Sequence, residues 1–237
     1  MSLPFFYIES DDASAKTIIL DEDTSRHVVQ VLRMQEEEKL NLTDGKGNLL
    51  NCEISDAHKK HCKVEVTASS IQHPVSKKIT IAISLVKNTS RFEWFLEKAT
   101  EIGVNEIIPL ICERTEKQKF RYDRMKGICI SAMLQSQQIW LPVLQEPKRF
   151  ADLLMSEFAD YEKLIAHCIE GEKQVLNHSH IRTSAHSIIL IGPEGDFTNE
   201  EIDLALENNF IPVSLGETRL RTETAGIVAA TLLKFNS

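Results

Sequence analysis

The sequence predicts an α/β fold in which a parallel-sheet domain follows a small β-barrel. Up to about residue 72, short apolar or alternating runs are separated by turn residues, a pattern typical of small barrels. After residue 78, apolar strands alternate with helical segments, and this alternation indicates a parallel sheet covered by helices. A polar stretch at 72–78 separates the two patterns. We therefore expect two domains, 1–72 and 73–237.

The first domain is expected to contain five short strands and one helix. The strands fall at residues 5–8, 17–20, 39–43, 49–54 and 62–66. The helix runs from about Thr24 to Met34, because several valines and a leucine share one of its sides. Arg26 and Arg33 lie about two turns apart on this helix, with His27 beside Arg26. Their spacing suits contact with an RNA phosphate backbone, but a solvated polar face explains it equally well.

The second domain begins with a near-continuous apolar strand, as buried parallel strands do. Its strands are expected at residues 79–86, 106–111, 163–169, 187–191 and 211–215. Ser90-Arg91-Phe92-Glu93 and Thr198-Asn199-Glu200-Glu201 each have the capping-box pattern of a helix start. Gly103 is placed to end the first of these helices. Two more helices are expected at about 122–138 and 222–235.

The strongest functional signal is a pair of loops near the C-terminus. Gly192-Pro193-Glu194-Gly195 follows one apolar strand, and a second loop from Leu215 to Ala225 follows the next. Loops at the carboxyl ends of parallel strands form a crevice in which ligands bind. Glycines in such loops allow the backbone to come close to the ligand. The pair therefore indicates an enzyme.

Charged residues within these loops are candidates for the chemistry. Arg219 and Arg221 lie near a helix start, where cations are disfavoured, so they fit either an anionic ligand or a structural salt bridge. The candidate general bases are Glu194, Asp196 and Glu223. Each of these carboxylates could instead cap the N-terminus of a helix.

A net charge of −8 does not exclude a nucleic-acid partner, because the basic residues are unevenly distributed. Basic side chains outnumber acidic ones over residues 74–150 and are concentrated between Arg114 and Lys126. Such a local patch can neutralise phosphates, although a solvated surface segment explains it as well.

Other classes of protein are disfavoured. No apolar run is long enough to span a membrane, and the acidic N-terminus is unlike a signal peptide, so we expect a cytoplasmic location. Five scattered cysteines form no C-x-x-C pair, which argues for reduced thiols and against a metal site.

Taken together, the motifs resemble the RsmE-type ribosomal RNA methyltransferases of the SPOUT superfamily over the whole chain. In the C-terminal part the resemblance rests on Ile191-Gly192-Pro193-Glu194-Gly195, on Leu215-Gly216 and on Leu220-Arg221-Thr222-Glu223-Thr224-Ala225. Elsewhere it rests on Arg26-His27 with Val31-Leu32-Arg33, on Lys98 to Val104, on Ile108-Pro109-Leu110 and on Glu113-Arg114. No single motif is specific, but the combination is.

The resemblance implies a PUA-like RNA-binding barrel followed by a trefoil-knotted methyltransferase domain that binds S-adenosyl-L-methionine. It also implies that a homodimer methylates N3 of one uridine in small-subunit (16S) ribosomal RNA, either as naked RNA or in the assembled subunit. The cofactor-binding residues it implies are Ile191, Gly192, Glu194, Gly195, Leu215, Gly216, Leu220, Thr222 and Ala225. The implied RNA-binding residues are Arg26, His27, Arg33, Arg91 and Arg114. Arg221 is expected to stabilise the anion that forms on the uracil carbonyls, and Glu223 is the candidate catalytic base.

The chain departs from the family pattern at three places. Leu134-Gln135-Ser136-Gln137-Gln138 lacks an acid and an arginine, Phe5 replaces an arginine, and Asp196 replaces a glycine. Two alternatives stay open: a SPOUT methyltransferase of another RNA position, and a non-catalytic RNA-binding factor in ribosome assembly.

Overall fold

The computed structural model describes residues 3–9, 15–116, 119–155, 158–176 and 186–235. The chain forms two compact units. The barrel unit comprises residues 1–74 and 133–141, and the sheet unit comprises residues 75–132 and 142–237. The barrel unit thus takes in a later segment, 133–141, that a division at residue 72 leaves out. No helix in the described ranges combines the length and the apolarity that crossing a membrane requires.

The barrel unit contains a five-stranded sheet in the order β1-β3-β4-β5-β2. The strands are β1 (Phe5–Tyr7), β2 (Thr17–Ile19), β3 (Lys39–Thr43), β4 (Asn48–Asp56) and β5 (Lys63–Ile71). β1 runs parallel to β3, whereas the other pairs are antiparallel. Leu40, Leu42, Leu50 and Val64 are fully or almost fully buried and form the core with Val28. All five strands lie where the sequence predicts them, within two residues at their ends except that β5 continues to Ile71, five residues beyond its predicted end.

The helix of the barrel unit is shorter than the sequence predicts. Helix α1 spans Glu22–Arg26 and continues as a π-helical turn, His27–Val31. It begins early because the Asp21 side chain accepts a hydrogen bond from Thr24 N (2.9 Å). Arg33 has a φ of 57°, so the chain has left the helix by that residue. The expectation that Arg26 and Arg33 share one side of a single helix is therefore wrong.

Segment 133–141 is held against a tight turn of the barrel unit by backbone hydrogen bonds. Gly47 N donates to Ile139 O and Leu141 N donates to Gly45 O, both at 2.9 Å. Gly47 has a φ of 95°, and a Cβ there would overlap the Trp140 ring. Glycine is thus required at this turn on two counts.

The sheet unit contains a parallel sheet in the order β11-β13-β10-β12-β6-β7-β8, with β9 also paired to β7. The strands are β6 (Lys78–Ser84), β7 (Glu106–Ile111), β8 (Val143–Leu144), β9 (Lys148–Arg149), β10 (Tyr161–Ala166), β11 (Gln174–Val175), β12 (His186–Ile191) and β13 (Ile211–Ser214). The helices are α2 (Thr89–Ile102), α3 (Tyr122–Gln135), α4 (Phe150–Leu154), α5 (Asn199–Glu207) and α6 (Thr222–Phe235). The predicted α/β class with a parallel sheet is confirmed, whereas the trefoil knot stays a prediction.

The helix ends follow ordinary capping chemistry. Thr198 and Glu201 form the predicted capping box of α5, and Gly103 ends α2 in the left-handed conformation with a φ of 88°. The predicted capping box at Ser90 is wrong, because Asn88 caps α2 and accepts a hydrogen bond from Ser90 N (3.0 Å). Asparagine and serine are about equally good N-cap residues, so residue type alone did not decide between Asn88 and Ser90.

The strand order determines which loops meet at the candidate site. β10 lies between β12 and β13, so the two glycine-containing loops follow strands that are not direct neighbours. A third loop, at residues 167–169 after β10, must lie between them. The carboxyl ends of all three strands face the same edge of the sheet because the strands are parallel.

Candidate active site

A cavity of about 270 Å³ lies at the carboxyl ends of β10, β12 and β13. Its lining contains seven of the residues expected from the sequence: Ile191, Gly192, Glu194, Leu220, Arg221, Thr222 and Ala225. It also contains Ala166, Cys168, Pro193, Asp196 and Arg219. Gly195, Leu215 and Gly216, which were expected at the cofactor, are not among the described residues that line it. Gly216 has a φ of 140° with open space around its Cα, so its backbone conformation alone explains the glycine.

The start of α6 is fastened to the loop after β12. Thr222 is buried, and its Oγ1 donates a hydrogen bond to the carbonyl of Gly192 (3.0 Å). Gly192 itself is buried, and a Cβ at this position would come within 3.1 Å of the Phe197 ring. These two contacts fix the backbone of the loop at Gly192, where the loop begins to line the cavity.

Asp196 connects two of the three loops that line the cavity. Its Oδ1 accepts a hydrogen bond from Phe197 N (2.9 Å), and its Oδ2 accepts one from Cys168 N (2.7 Å). Asp196 has a φ of 64°, a region that aspartate tolerates better than most residues do. Lys173 also holds the 167–169 loop, because its Nζ donates hydrogen bonds to the carbonyls of His167 (3.2 Å) and Ile169 (2.8 Å).

Arg114 holds the loop after β12 from a different direction. Its Nη1 donates to the carbonyls of Gly195 (2.6 Å) and Phe197 (3.3 Å). A Cβ on Gly195 would lie 3.2 Å from the Arg114 side chain, so the arginine packs directly over this glycine. Arg114 is thus engaged with the loop, and its expected contact with RNA stays a prediction.

A groove with several basic residues shares the Pro193–Gly195 loop with the cavity. One part of it, about 510 Å³, is lined by Lys87, Asn88, Thr89, Arg91 and Glu194. A second part, about 310 Å³, is lined by Leu85, Lys87, Arg114, Glu116, Pro193, Glu194 and Gly195. We refer to the two parts as the basic groove. Glu194 lines the cavity and both parts of the groove, so it lies where the two spaces meet.

Glu223 lies away from the cavity lining, although the sequence suggested it as a base. Its side chain is only 8% exposed, and its Oε1 lies 3.6 Å from Arg91 Nε. Among the described residues, its buried Oε2 has no hydrogen-bond partner. Arg91 Nη1 also lies 3.6 Å from Glu194 Oε1. Arg91 therefore lies between a carboxylate of α6 and a carboxylate of the cavity loop, on the wall of the basic groove.

The pKa shifts near the site favour the charged form of an exposed group and the neutral forms of buried groups. A hydrogen bond and the charge of Glu116 raise the pKa of Lys87, so this groove lysine stays cationic. Burial and the charge of Lys173 lower the pKa of His167, which favours a neutral imidazole beside the cavity. Burial raises the pKa of the Cys112 thiol to about 12, which leaves it unreactive at neutral pH.

The remaining candidate RNA residues belong to the barrel unit. Arg26 forms ion pairs with Glu22 (3.0 Å) and Asp23 (3.5 Å) on its own helix. The ring of His27 lies edge-on to Phe6, with 5.8 Å between the ring centroids. Arg26, His27 and Arg33 are all exposed, as contact with RNA requires.

Two family models match the chain. One, described as an RNA methyltransferase domain, covers residues 73–234. The other, described as an RNA methyltransferase PUA domain, covers residues 20–67. The matches extend over most of both compact units and agree with the fold class that the sequence predicts.

Individual relatives give the same result. The ribosomal RNA small subunit methyltransferase E of Synechocystis sp. is 31% identical over 90% of this chain and 71% of its own length. A crystal structure of a probable rRNA-methyltransferase from Porphyromonas gingivalis is 39% identical, with a TM-score of 0.88 over 96% of this chain and 95% of that one. A ribosomal RNA small subunit methyltransferase E from Neisseria gonorrhoeae, bound to S-adenosyl methionine, is 29% identical, with a TM-score of 0.86 over 97% and 95%. The resemblance seen in the sequence is confirmed, and the chain belongs to the ribosomal RNA small subunit methyltransferase E family.

Proposed function

We propose that the protein transfers a methyl group from S-adenosyl-L-methionine to N3 of a uridine in small-subunit ribosomal RNA. The observation that carries the proposal is the junction at Glu194, where a cavity of small-molecule size meets a groove lined by Lys87, Arg91 and Arg114. A methyl donor in the cavity and an RNA strand in the groove would meet there. Family membership supports the same reaction.

The residues of the cavity fit S-adenosyl-L-methionine. Its volume of about 270 Å³ is slightly below the usual range for small-molecule sites, about 300–1,000 Å³. Ala166, Ile191, Leu220 and Ala225 offer apolar surface to the adenosyl group. Backbone groups of the fixed loops, with the arginines 219 and 221, offer partners for its hydroxyl and carboxylate groups. When bound, this cofactor supplies a methyl group on a positively charged sulfur, so the protein need not activate the donor.

The protein's own task is to present uridine N3 and to stabilise the charge that develops on the base. N3 lies on the base-pairing edge, so the base has to leave its stack before it can react. Arg221 lines the cavity and is exposed, and we assign it the stabilisation of the uracil carbonyls. Arg91, Arg114 and Lys87 give the groove the positive charge that RNA phosphates require.

We further propose that the protein works as a homodimer on ribosomal RNA in the cytoplasm. Phe235, at the end of α6, is 70% exposed, and Trp94, on the adjacent helix α2, is 44% exposed. Association with a second copy would cover these two exposed apolar side chains, and two-fold dimers are the commonest assemblies of soluble proteins. Light scattering at micromolar concentration tests this part, and a monomer would refute it.

The decisive experiment is nucleoside mapping of ribosomal RNA by mass spectrometry. RNA from a strain that lacks the protein is compared with RNA from strains that express the wild type or Arg221→Ala. We expect N3-methyluridine at one small-subunit position with the wild type, and strongly reduced methylation with the variant. A methylated nucleoside elsewhere would indicate the alternative RNA target. Unmodified RNA, combined with retained binding to the small subunit, would indicate an assembly factor instead.

A further inference from the structure

Methylation of uridine N3 requires a proton acceptor, because N3 carries a proton in the neutral base. The sequence offers three carboxylates near the cavity: Glu194, Asp196 and Glu223. A general base must come within hydrogen-bonding reach of the proton it removes, so the positions of these carboxylates distinguish them.

Two of the three carboxylates are poorly placed for this task. Both oxygens of Asp196 accept backbone hydrogen bonds, from Phe197 N and Cys168 N, and protonation of the carboxylate would weaken these charge-assisted bonds. Glu223 is 8% exposed and lines neither the cavity nor the basic groove among the described residues. Arg91, which lines the groove, lies against Glu223 with 3.6 Å between Nε and Oε1.

Glu194 is exposed, and neither of its carboxylate oxygens accepts a hydrogen bond from the backbone among the described residues. Its side chain is 39% exposed and lines both the cavity and the basic groove. The 3.6 Å separation from Arg91 is that of an ion pair without a hydrogen bond, which leaves the carboxylate oxygens able to accept a proton. The loop around it is held as well, because Arg114 binds the carbonyl of Gly195 and Thr222 binds the carbonyl of Gly192.

We propose that Glu194 is the catalytic base that removes the N3 proton of the target uridine. This assignment rests on the proposed function. The N3–H bond breaks and the proton passes to a carboxylate oxygen of Glu194. The electron pair left on N3 forms the bond to the methyl carbon, while the carbon–sulfur bond breaks and leaves its electron pair on sulfur. The products are N3-methyluridine, S-adenosylhomocysteine and neutral Glu194, so the charges on sulfur and on the carboxylate cancel.

Charged side chains surround Glu194 on both the groove side and the cavity side. Arg91 on α2 and Lys87 before it face it across the groove, with Glu116 paired to Lys87 at 2.8 Å. Arg114 holds the following residue, and Glu223 of α6 lies behind Arg91. On the cavity side the lining charges are Asp196, Arg219 and Arg221. On the groove side the cations Arg91, Lys87 and Arg114 outnumber the anions Glu116 and Glu223.

The test compares Glu194→Gln and Glu194→Asp with the wild type. Glutamine has nearly the same shape but cannot take up the proton, whereas aspartate retains a carboxylate that is one methylene shorter. Glu217→Gln is the matched control, since Glu217 is an exposed acid in the neighbouring loop outside the cavity lining. Single-turnover methylation is measured from pH 6 to pH 9.5, together with calorimetric affinity for S-adenosyl-L-methionine and anisotropy-based affinity for the substrate RNA.

We expect Glu194→Gln to bind cofactor and RNA as the wild type does, while methylation falls by about 100-fold or more. Below the pKa of uridine N3 the remaining rate should rise about tenfold per pH unit, because only uridine that has already lost its proton reacts. Glu194→Asp should recover part of the rate, and Glu217→Gln should match the wild type.

Two results would overturn the assignment. One is a Glu194→Gln variant that methylates at nearly the wild-type rate. The other is a reduced rate with the wild-type pH dependence, since that would assign Glu194 a role in positioning. A wild-type protein that neither binds the cofactor nor methylates would instead refute the proposed function, so the two failures can be told apart.

Discussion

Asp196 offers a quantitative test of how the cavity is held together. Its carboxylate ties the β12 loop to the β10 loop through Cys168 N (2.7 Å), and its backbone adopts a φ of 64°. Alanine at this position would lose the hydrogen bond and keep the backbone conformation. Glycine would lose the same bond but would accept the left-handed conformation freely. The two substitutions therefore separate the two contributions.

The expected magnitudes follow from these two features. A hydrogen bond to a charged acceptor contributes about 1.5–3 kcal/mol, and the lower value applies because Cys168 is exposed and water can replace the carboxylate. The left-handed conformation adds about 1 kcal/mol for alanine. We expect Asp196→Ala to lower the free energy of unfolding of the sheet unit by about 2.5 kcal/mol, and Asp196→Gly by about 1.5 kcal/mol.

The same substitutions should weaken cofactor binding. Without the carboxylate, part of the binding free energy of the cofactor is spent on ordering the 167–169 loop. If that ordering costs about 1.4 kcal/mol, the affinity for the cofactor falls tenfold. The assays are urea unfolding, calorimetric titration with S-adenosyl-L-methionine, and hydrogen exchange of the Cys168 amide. Equal losses of stability in the alanine and glycine variants would refute the backbone argument. Unchanged exchange at Cys168, with wild-type cofactor affinity, would refute the role of the carboxylate.

Three further predictions concern other parts of the molecule. Cys168 is the exposed thiol among five and lines the cavity, so iodoacetamide should label it first, and S-adenosyl-L-methionine should slow the labelling; labelling at an unchanged rate would argue against binding there. Gly226→Ala should destabilise the sheet unit by about 1–3 kcal/mol in urea unfolding, since its Cβ would lie 2.6 Å from the Phe95 ring; a neutral effect would contradict this tight packing. Replacing both Arg26 and Arg33 with alanine should weaken RNA binding and reduce the salt slope by about two, with cofactor affinity unchanged; an unaltered slope would remove them from the RNA interface.

Local patterns predicted most of the elements, because the physics that forms them is local. The end of α2 at Gly103 and the start of α5 at Thr198 follow from residue types that satisfy the helix termini. The early end of α1 was not predictable in the same way. Its apolar pattern continues to Leu32, but the chain forms a π-helical turn from His27 to Val31 and reaches a positive φ at Arg33.

The candidate site was only half visible in the sequence. The loops after β12 and β13 carry glycines and charges, and they were found by those residues. The loop after β10 contributes Ala166 and Cys168 to the cavity, yet neither residue belongs to a recognisable motif. Their place in the site follows from β10 lying between β12 and β13, and strand order is a long-range property that no local pattern encodes.

The departures from the family pattern show why a substitution has to be interpreted through the backbone. Replacing a glycine with Asp196 suggests a lost close approach, but the left-handed φ of 64° is one that aspartate accommodates. The added carboxylate then bonds to Cys168 N, a contact that glycine could not make. At residues 134–138 the missing acid and arginine leave a segment that is still attached to its unit by the backbone groups of Ile139 and Leu141. Both departures fall where main-chain geometry holds the structure, so each can change side-chain contacts with RNA or cofactor without altering the fold that presents them.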